Sequence, residues 1–153
     1  MSAVHEADLN GAGKRIAIVA GRFNDFVTQR LVSSAVECAT QHGVAAADVD
    51  VYWVPGSFEV PQLARKLAGE GRFDGVICVG AIIRGDTNHF DNLCASVIFS
   101  IAEISSRFSV PVTYGMVTAD TAEQALERAG GRKGNKGWDA ALALIEMMGL
   151  WKG

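Results

Sequence analysis

The sequence predicts a single α/β domain, a flavodoxin-like three-layer αβα sandwich with a four-stranded parallel sheet. Three observations carry that expectation. Apolar, β-forming runs alternate with helix-periodic segments. One run, Gly75 to Ile83, is apolar throughout, as a strand covered on both faces must be. Polar or glycine-containing turns follow the runs. With 153 residues and 49% hydrophobic content the chain can bury one sizeable core, so 1–153 reads as one domain, with 1–13 a flexible or inter-subunit lead-in.

Arg15 to Ala20 is the first expected strand, entered from the flexible Asn10-Gly11-Ala12-Gly13. Val49 to Val54 is the second; its Val51, Tyr52, Trp53 and Val54 are β-formers, and Pro55-Gly56 stops it. Val76 to Ile83 is the third. Val110 to Val117 is the fourth, with Pro111 near its start, where a missing N–H costs least. Between the first two strands, Asp25 to His42 carries a helical apolar stripe through Phe26, Val27, Leu31, Val32, Ala35, Val36 and Ala39, closed by Gly43 at C′. Phe58 to Ala68 is a shorter helix, and Asn88 to Phe108 a long one. Asp120-Thr121-Ala122-Glu123 has the ingredients of a capping box, and the helix it starts breaks at Gly130-Gly131. Trp138 to Met148 is the last helix, with Ala141, Leu142, Ile145 and Met148 on one side. Such alternation implies right-handed crossovers and helices on both faces of the sheet. No solenoid period is present, so function falls to the loops or to assembly.

A net charge of −3 supplies no broad basic field for nucleic acid, so any anion must be held locally. Cys38, Cys78 and Cys94 are scattered, without C-x-x-C spacing; this argues against a disulfide framework or zinc site and fits a reducing cytoplasm. The first thirteen residues contain His5, Glu6 and Asp8 and lack the pattern of a signal peptide, and no apolar run approaches the ~18 residues that span a bilayer. The expectation is a soluble, unexported protein with no membrane partner.

In a parallel sheet the turns after the strands share the carboxyl edge, where open α/β folds bind ligands. That gathers Gly21-Arg22-Phe23-Asn24, Pro55-Gly56-Ser57-Phe58-Glu59, Arg84 to His89 and Thr118-Ala119-Asp120 around one pocket, with an aromatic wall from Phe23 or Phe58, polar groups from Ser57 and Glu59, and an imidazole at His89. Gly85-Asp86-Thr87 ahead of a helix reads either as a backbone anion cradle or as a plain helix cap from Asp86 or Thr87. His89 reads either as a proton acceptor kept neutral by the positive helix end or as a surface histidine. Cys94, five residues further, is turned about 140° away and makes no dyad with it. Cys78 reads as packing. The Gly130 to Gly137 segment is basic but follows a helix and lacks the P-loop order; it is either a solvated hinge or a route for Arg128 and the lysines to an anion. Gly11-Ala12-Gly13-Lys14 is no dinucleotide fingerprint, and Trp138 reads as core or interface.

Four motifs in register, Gly21 to Asn24, Val54 to Pro61, Gly80 to Asp91, and Glu127 to Gly130 with Gly134 to Gly137, resemble the 6,7-dimethyl-8-ribityllumazine synthases over nearly the whole chain. The resemblance implies condensation of 5-amino-6-(D-ribitylamino)uracil with 3,4-dihydroxy-2-butanone 4-phosphate, the penultimate step of riboflavin biosynthesis, without metal or organic cofactor. It implies Phe23 stacked on the pyrimidine, Ser57, Phe58 and Glu59 lining the uracil and ribityl subsite, and backbone contacts from Ala81, Ile82 and Ile83. It also implies Asp86, Thr87 and Arg128 on the phosphate, with Gly85 and Lys136 supporting, and His89 as the proton-transfer residue. Tyr114 stands where the family often has Phe, at a position that serves a neighbouring subunit's pocket. Asn88 fills a variable slot. The resemblance further implies a pentamer, here assembled into a 60-subunit icosahedral shell, with riboflavin synthase as a candidate partner. A non-catalytic lumazine- or flavin-binding or packaging protein is the alternative reading.

Overall fold

The computed structural model describes residues 2–151. Four parallel strands, β1 (Ile16–Gly21), β2 (Val49–Val54), β3 (Gly75–Ile83) and β4 (Val112–Ala119), form one sheet in the order β2-β1-β3-β4. The long helices are α1 (Asp25–Gln41), α2 (Val60–Gly69), α3 (His89–Arg107) and α5 (Lys136–Leu150), with the short α4 (Ala122–Glu127) after β4. This is the expected flavodoxin-like three-layer αβα architecture.

Strand alternation divides the core into two layers. Ile16, Ile18, Ala20, Ile77 and Val79 face α1 and α5, whereas Ala17, Val19, Val76, Cys78 and Met116 face α2 and α3. The chain steps one way from β1 to β2 and the other way from β2 to β3 and on to β4. Right-handed crossovers therefore require α1 on one face and α2 and α3 on the other.

Helix ends follow from local chemistry. At the end of α1, Gly43 adopts φ 101° and its N–H donates to Thr40 O, while Val44 N–H donates to Ala39 O, the paired bonds of a Schellman motif. Thr121 Oγ1 caps α4 by accepting from Gln124 N–H. The reciprocal bond of the expected capping box is displaced by one residue: Gln124 Oε1 accepts from Asp120 N–H at 3.0 Å. Pro111 lies just before β4, which begins two residues later than the apolar run suggested and continues to Ala119. The lead-in is partly held, since Gly11 N–H donates to His42 O and Asn10 Oδ1 accepts from Ala12 N–H.

The basic segment after α4 is more ordered than a hinge. Ala129–Gly131 (β5) and Gly134–Asn135 (β6) pair as an antiparallel hairpin. Asn135 Oδ1 then accepts from Gly137 N–H at 2.8 Å and Trp138 N–H at 3.1 Å, so α5 starts two residues before Trp138. Trp138 packs partly buried against the α1–α5 core, edge to face with the His42 ring at a centroid separation of 6.1 Å.

Cys38 and Cys78 are buried, and desolvation pushes their thiols up to about 11, with Asp139 contributing, and about 12 respectively. Cys94 is half-buried and its thiol is raised by the same cause, then by Asp91. Reaction of the native protein with an aromatic disulfide reagent at pH 8 is expected to count at most one thiol, against three in urea; two fast native thiols would contradict this packing. The two buried thiols hold their protons more tightly folded than unfolded. Their contribution to stability is therefore full below the ordinary thiol value of 9.0 and is lost as the pH rises through about 11 for Cys38 and about 12 for Cys78.

Candidate active site

The strand order reverses between β1 and β3, and the crevice at that switch point opens at the carboxyl edge of the sheet. A cavity of about 310 Å³ lies there, and turns from three separate βα units wall it.

The turn from β1 to α1 contributes Phe23 and Asn24. Asn24 has a left-handed backbone, φ 65°, a conformation that Asn tolerates better than most residues. Its side chain does not cap α1; Nδ2 donates to Ala81 O at 2.9 Å and fastens this turn to the end of β3. The second turn is zipped to the first through Arg22 N–H to Val54 O, 2.8 Å, and Phe23 N–H to Pro55 O, 3.1 Å. It brings Gly56, Ser57, Phe58 and Glu59, with Ser57–Glu59 forming a single 3₁₀ turn ahead of α2. Ser57 is buried, whereas Phe23 and Phe58 are 72% and 57% exposed. Two large rings left open beside a concavity are unfavourable in water, and a planar ligand between them would relieve that cost.

The floor is the end of β3, Ala81, Ile82 and Ile83. At Gly80 a Cβ would lie 2.8 Å from Met116 Cε and 3.2 Å from Ser57 Oγ, so a side chain there would make the Met116 tip and Ser57 shift. The last wall is the turn into α3 and its first face: Gly85, Thr87, His89, Phe90 and Leu93. Thr87 Oγ1 accepts weakly from His89 N–H at 3.4 Å, so the threonine does take part in the helix start, and Asn88 at the N-cap makes no side-chain cap bond. Gly85, Thr87 and His89 bring the start of α3 to the cavity, and the N–H groups left unpaired at a helix start favour an anion. His89 is exposed at the rim.

Ten of the expected positions thus line one cavity: Phe23, Ser57, Phe58, Glu59, Ala81, Ile82, Ile83, Gly85, Thr87 and His89. Asp86 shares the turn but is exposed outside the lining. Tyr114 is half-buried on β4, in register with Cys78, which puts it three residues or ~10 Å down the sheet from the Ala81–Val117 rung. Burial, then Cys94, raises its phenol's pKa, and Lys136 Nζ stands 5.9 Å from its ring centroid. Arg128 closes α4, half-buried, donating to Gln124 O at 3.3 Å, and does not line the cavity of its own chain. Among the described residues, those lining the cavity include no lysine or arginine, while Glu59 adds a carboxylate.

Asn24, Gly56, Phe90 and Leu93 line the cavity although no role was assigned to them from the sequence. A lone Asn between a strand and a helix carries a readable signal, left-handed tolerance together with a spare amide. Phe90 and Leu93, spaced i, i+3, carry the signal of one helix face, which is indistinguishable from ordinary core. Among the described residues no group of three His, Cys, Asp or Glu side chains converges as metal ligands would, and no helix is long and apolar enough to cross a membrane.

A doubly wound parallel sheet whose switch-point cavity is lined by two exposed rings and the start of a helix fits a small-molecule enzyme of the three-layer α/β class. A family profile described as 6,7-dimethyl-8-ribityllumazine synthase matches residues 13–152. The chain is also 52% identical over 150 residues to the 6,7-dimethyl-8-ribityllumazine synthase of Desulfosudis oleivorans, an alignment covering 98% of this chain and 96% of that protein. The chain belongs to the 6,7-dimethyl-8-ribityllumazine synthase family, transferases of riboflavin biosynthesis.

Proposed function

We propose that the chain condenses 5-amino-6-(D-ribitylamino)uracil with 3,4-dihydroxy-2-butanone 4-phosphate to give 6,7-dimethyl-8-ribityllumazine, phosphate and water. The observation that carries this reading is the single cavity joining the two exposed rings to the glycine turn and His89. The pyrimidine lies between Phe23 and Phe58, against the backbone of Ala81, Ile82 and Ile83, with Ser57 and Glu59 on its polar edge and ribityl chain. The phosphate of the four-carbon ketone sits at the N–H groups of Gly85 to Thr87, with the Asp86 side chain turned away.

The chemistry asks little else of the protein. The pyrimidine's amine is already nucleophilic and attacks the ketone carbonyl to form an imine, and the carbonyl oxygen leaves as a first water. Phosphate then leaves, the ring closes through the ribityl-bearing nitrogen onto the second carbonyl, and a second water is lost. Each stage moves protons, for which His89 is the available base and acid, and a dianion leaves toward backbone N–H groups. Holding two small reactants in register supplies much of the rate.

A cavity without its own cation is poorly matched to a phosphate ester, and this supports a site completed by a neighbouring copy. Arg128, Tyr114 and Lys136 then come from that neighbour. The exposed apolar residues Ile98 and Phe99 on α3, 47% and 77% accessible, also favour assembly. The assembly is a pentamer, and twelve pentamers form an icosahedral shell; sedimentation at the pentamer mass alone would reject the shell. Riboflavin synthase is the candidate macromolecular partner, and the three free cysteines fit a reducing cytoplasm.

Purified protein mixed with both substrates is expected to raise lumazine absorbance and fluorescence faster than the uncatalysed background. No excess rate, with lumazine still bound, would favour the non-catalytic binding or packaging reading. His89→Ala is expected to lower turnover by about 10- to 100-fold and to leave measurable residual activity, because orientation survives the loss of a proton carrier. The melting temperature should hold, since the side chain is exposed. Unchanged turnover would remove His89 from the chemistry.

A further inference from the structure

Arg84 sits in the turn that carries the anion cradle, yet it does not line the cavity. Its backbone N–H donates to Ala119 O at 2.9 Å, beyond the last paired residues of β3 and β4, Ile83 and Ala119. The chain then leaves the sheet for the residues that precede α3, and little holds them. The weak Thr87–His89 bond is the side-chain hydrogen bond within the turn, and space around Gly85 is open.

The Arg84 side chain spans this gap. Nε donates to Asp120 Oδ1 at 2.8 Å, Nη2 lies 3.5 Å from Asp91 Oδ1, and Cζ stands 4.4 Å from the centroid of the Phe90 ring, which itself lines the cavity. One planar group thereby joins three elements: the end of β3, the first turn of α3 and the loop between β4 and α4. Asp120 is itself tied to α4 through its N–H and Gln124 Oε1. Each contact alone, at a half-exposed site, is worth little. Their shared effect is geometric, because a flat fork can satisfy two carboxylates and an aromatic face at once.

We propose that Arg84 is a positioning residue for the anion end of the cavity, strapping the 85–89 turn so that its N–H groups and His89 meet the phosphorylated ketone in a fixed orientation. This rests on the reaction proposed above. Direct phosphate binding by Arg84 is disfavoured, because Asp91 and Asp120 already take its charge and together outweigh it against an incoming dianion.

The test compares Arg84→Met, Arg84→Lys and Asp120→Asn with the unmodified chain, using Arg72→Met as control. Arg72 makes a similar bridge, to Asp50, Tyr52 and the Phe73 ring, away from the cavity. In Arg84→Met the KM for the phosphorylated ketone is expected to rise about tenfold, with the pyrimidine KM nearly unchanged. Arg84→Lys should recover part of that loss and Asp120→Asn should reproduce part of it, whereas Arg72→Met should leave both KM values alone. Amide exchange of the 85–92 backbone in the substrate-free protein should quicken in Arg84→Met, a readout independent of turnover. Unchanged exchange, or unchanged ketone KM in an active Arg84→Met protein, overturns the positioning role. Equal loss toward both substrates with a falling melting temperature overturns it too. Absence of product from the unmodified chain instead overturns the proposed reaction.

Discussion

Gly137→Ala is expected to lower the unfolding free energy by about 2–4 kcal/mol, read as a shift of the urea midpoint. A Cβ at position 137 would collide with Leu31 O and would stand 2.7 Å from Leu31 C and 2.9 Å from Leu31 Cα. Those atoms are the backbone of α1, a helix whose inner face is fully buried, so no side-chain rotation relieves the overlap. The first turn of α5 must move outward. Moving it also strains the Asn135 cap, because the Gly137 N–H is one of the two that Asn135 accepts. Gly85→Ala, by contrast, meets open space and should change stability by no more than about 0.5 kcal/mol. An unshifted midpoint in Gly137→Ala would mean that α1 and α5 do not approach as closely as described.

Arg128→Ala is expected to reduce kcat/KM for the phosphorylated ketone by about 100-fold while barely altering the pyrimidine KM or the melting temperature. Arg128 is only half-buried and its intrachain side-chain bond is a long one, to a carbonyl at 3.3 Å, so its removal leaves the fold little changed. On the proposed reading, what disappears is the cation needed for a phosphate by a cavity whose described lining residues include no lysine or arginine. If the arginine comes from a neighbouring copy, chains carrying Arg128→Ala and chains carrying His89→Ala, refolded together, should be more active than either alone. Some sites then combine both intact residues. Kinetics of Arg128→Ala that match the unmodified chain would dismiss the anion assignment, and no gain on mixing would place both residues in one chain's site.

How much of this was legible beforehand differs by element. β3 was readable because a run apolar on both faces has one common explanation in an alternating chain. α1 was readable because its stripe and Gly43 agree. The hairpin over Ala129 to Asn135 was not. Gly and Lys carry little strand propensity, and the pairing follows from docking between α4 and the cap of α5. Asn24 was legible as a turn residue but not as a fastener, because its bond to Ala81 O spans 57 residues of sequence. Arg84 stood in the motif from the start, yet its partners Asp91 and Asp120 come from different elements, and spacing along a chain does not report convergence across turns.

The sequence by itself determined the α/β class, the order of the strands along the chain, the two-sided burial of β3 and the motifs gathered at one edge. Those properties depend on local periodicity and on the handedness of crossovers, which short stretches of residues encode. Only the tertiary structure decided that the cavity lies at the β1–β3 reversal and that Phe23 and Phe58 remain exposed around it. It also decided that Tyr114 and Arg128 fall outside their own chain's pocket. Those outcomes depend on register and on which faces close against each other, and residues far apart in the chain set them jointly.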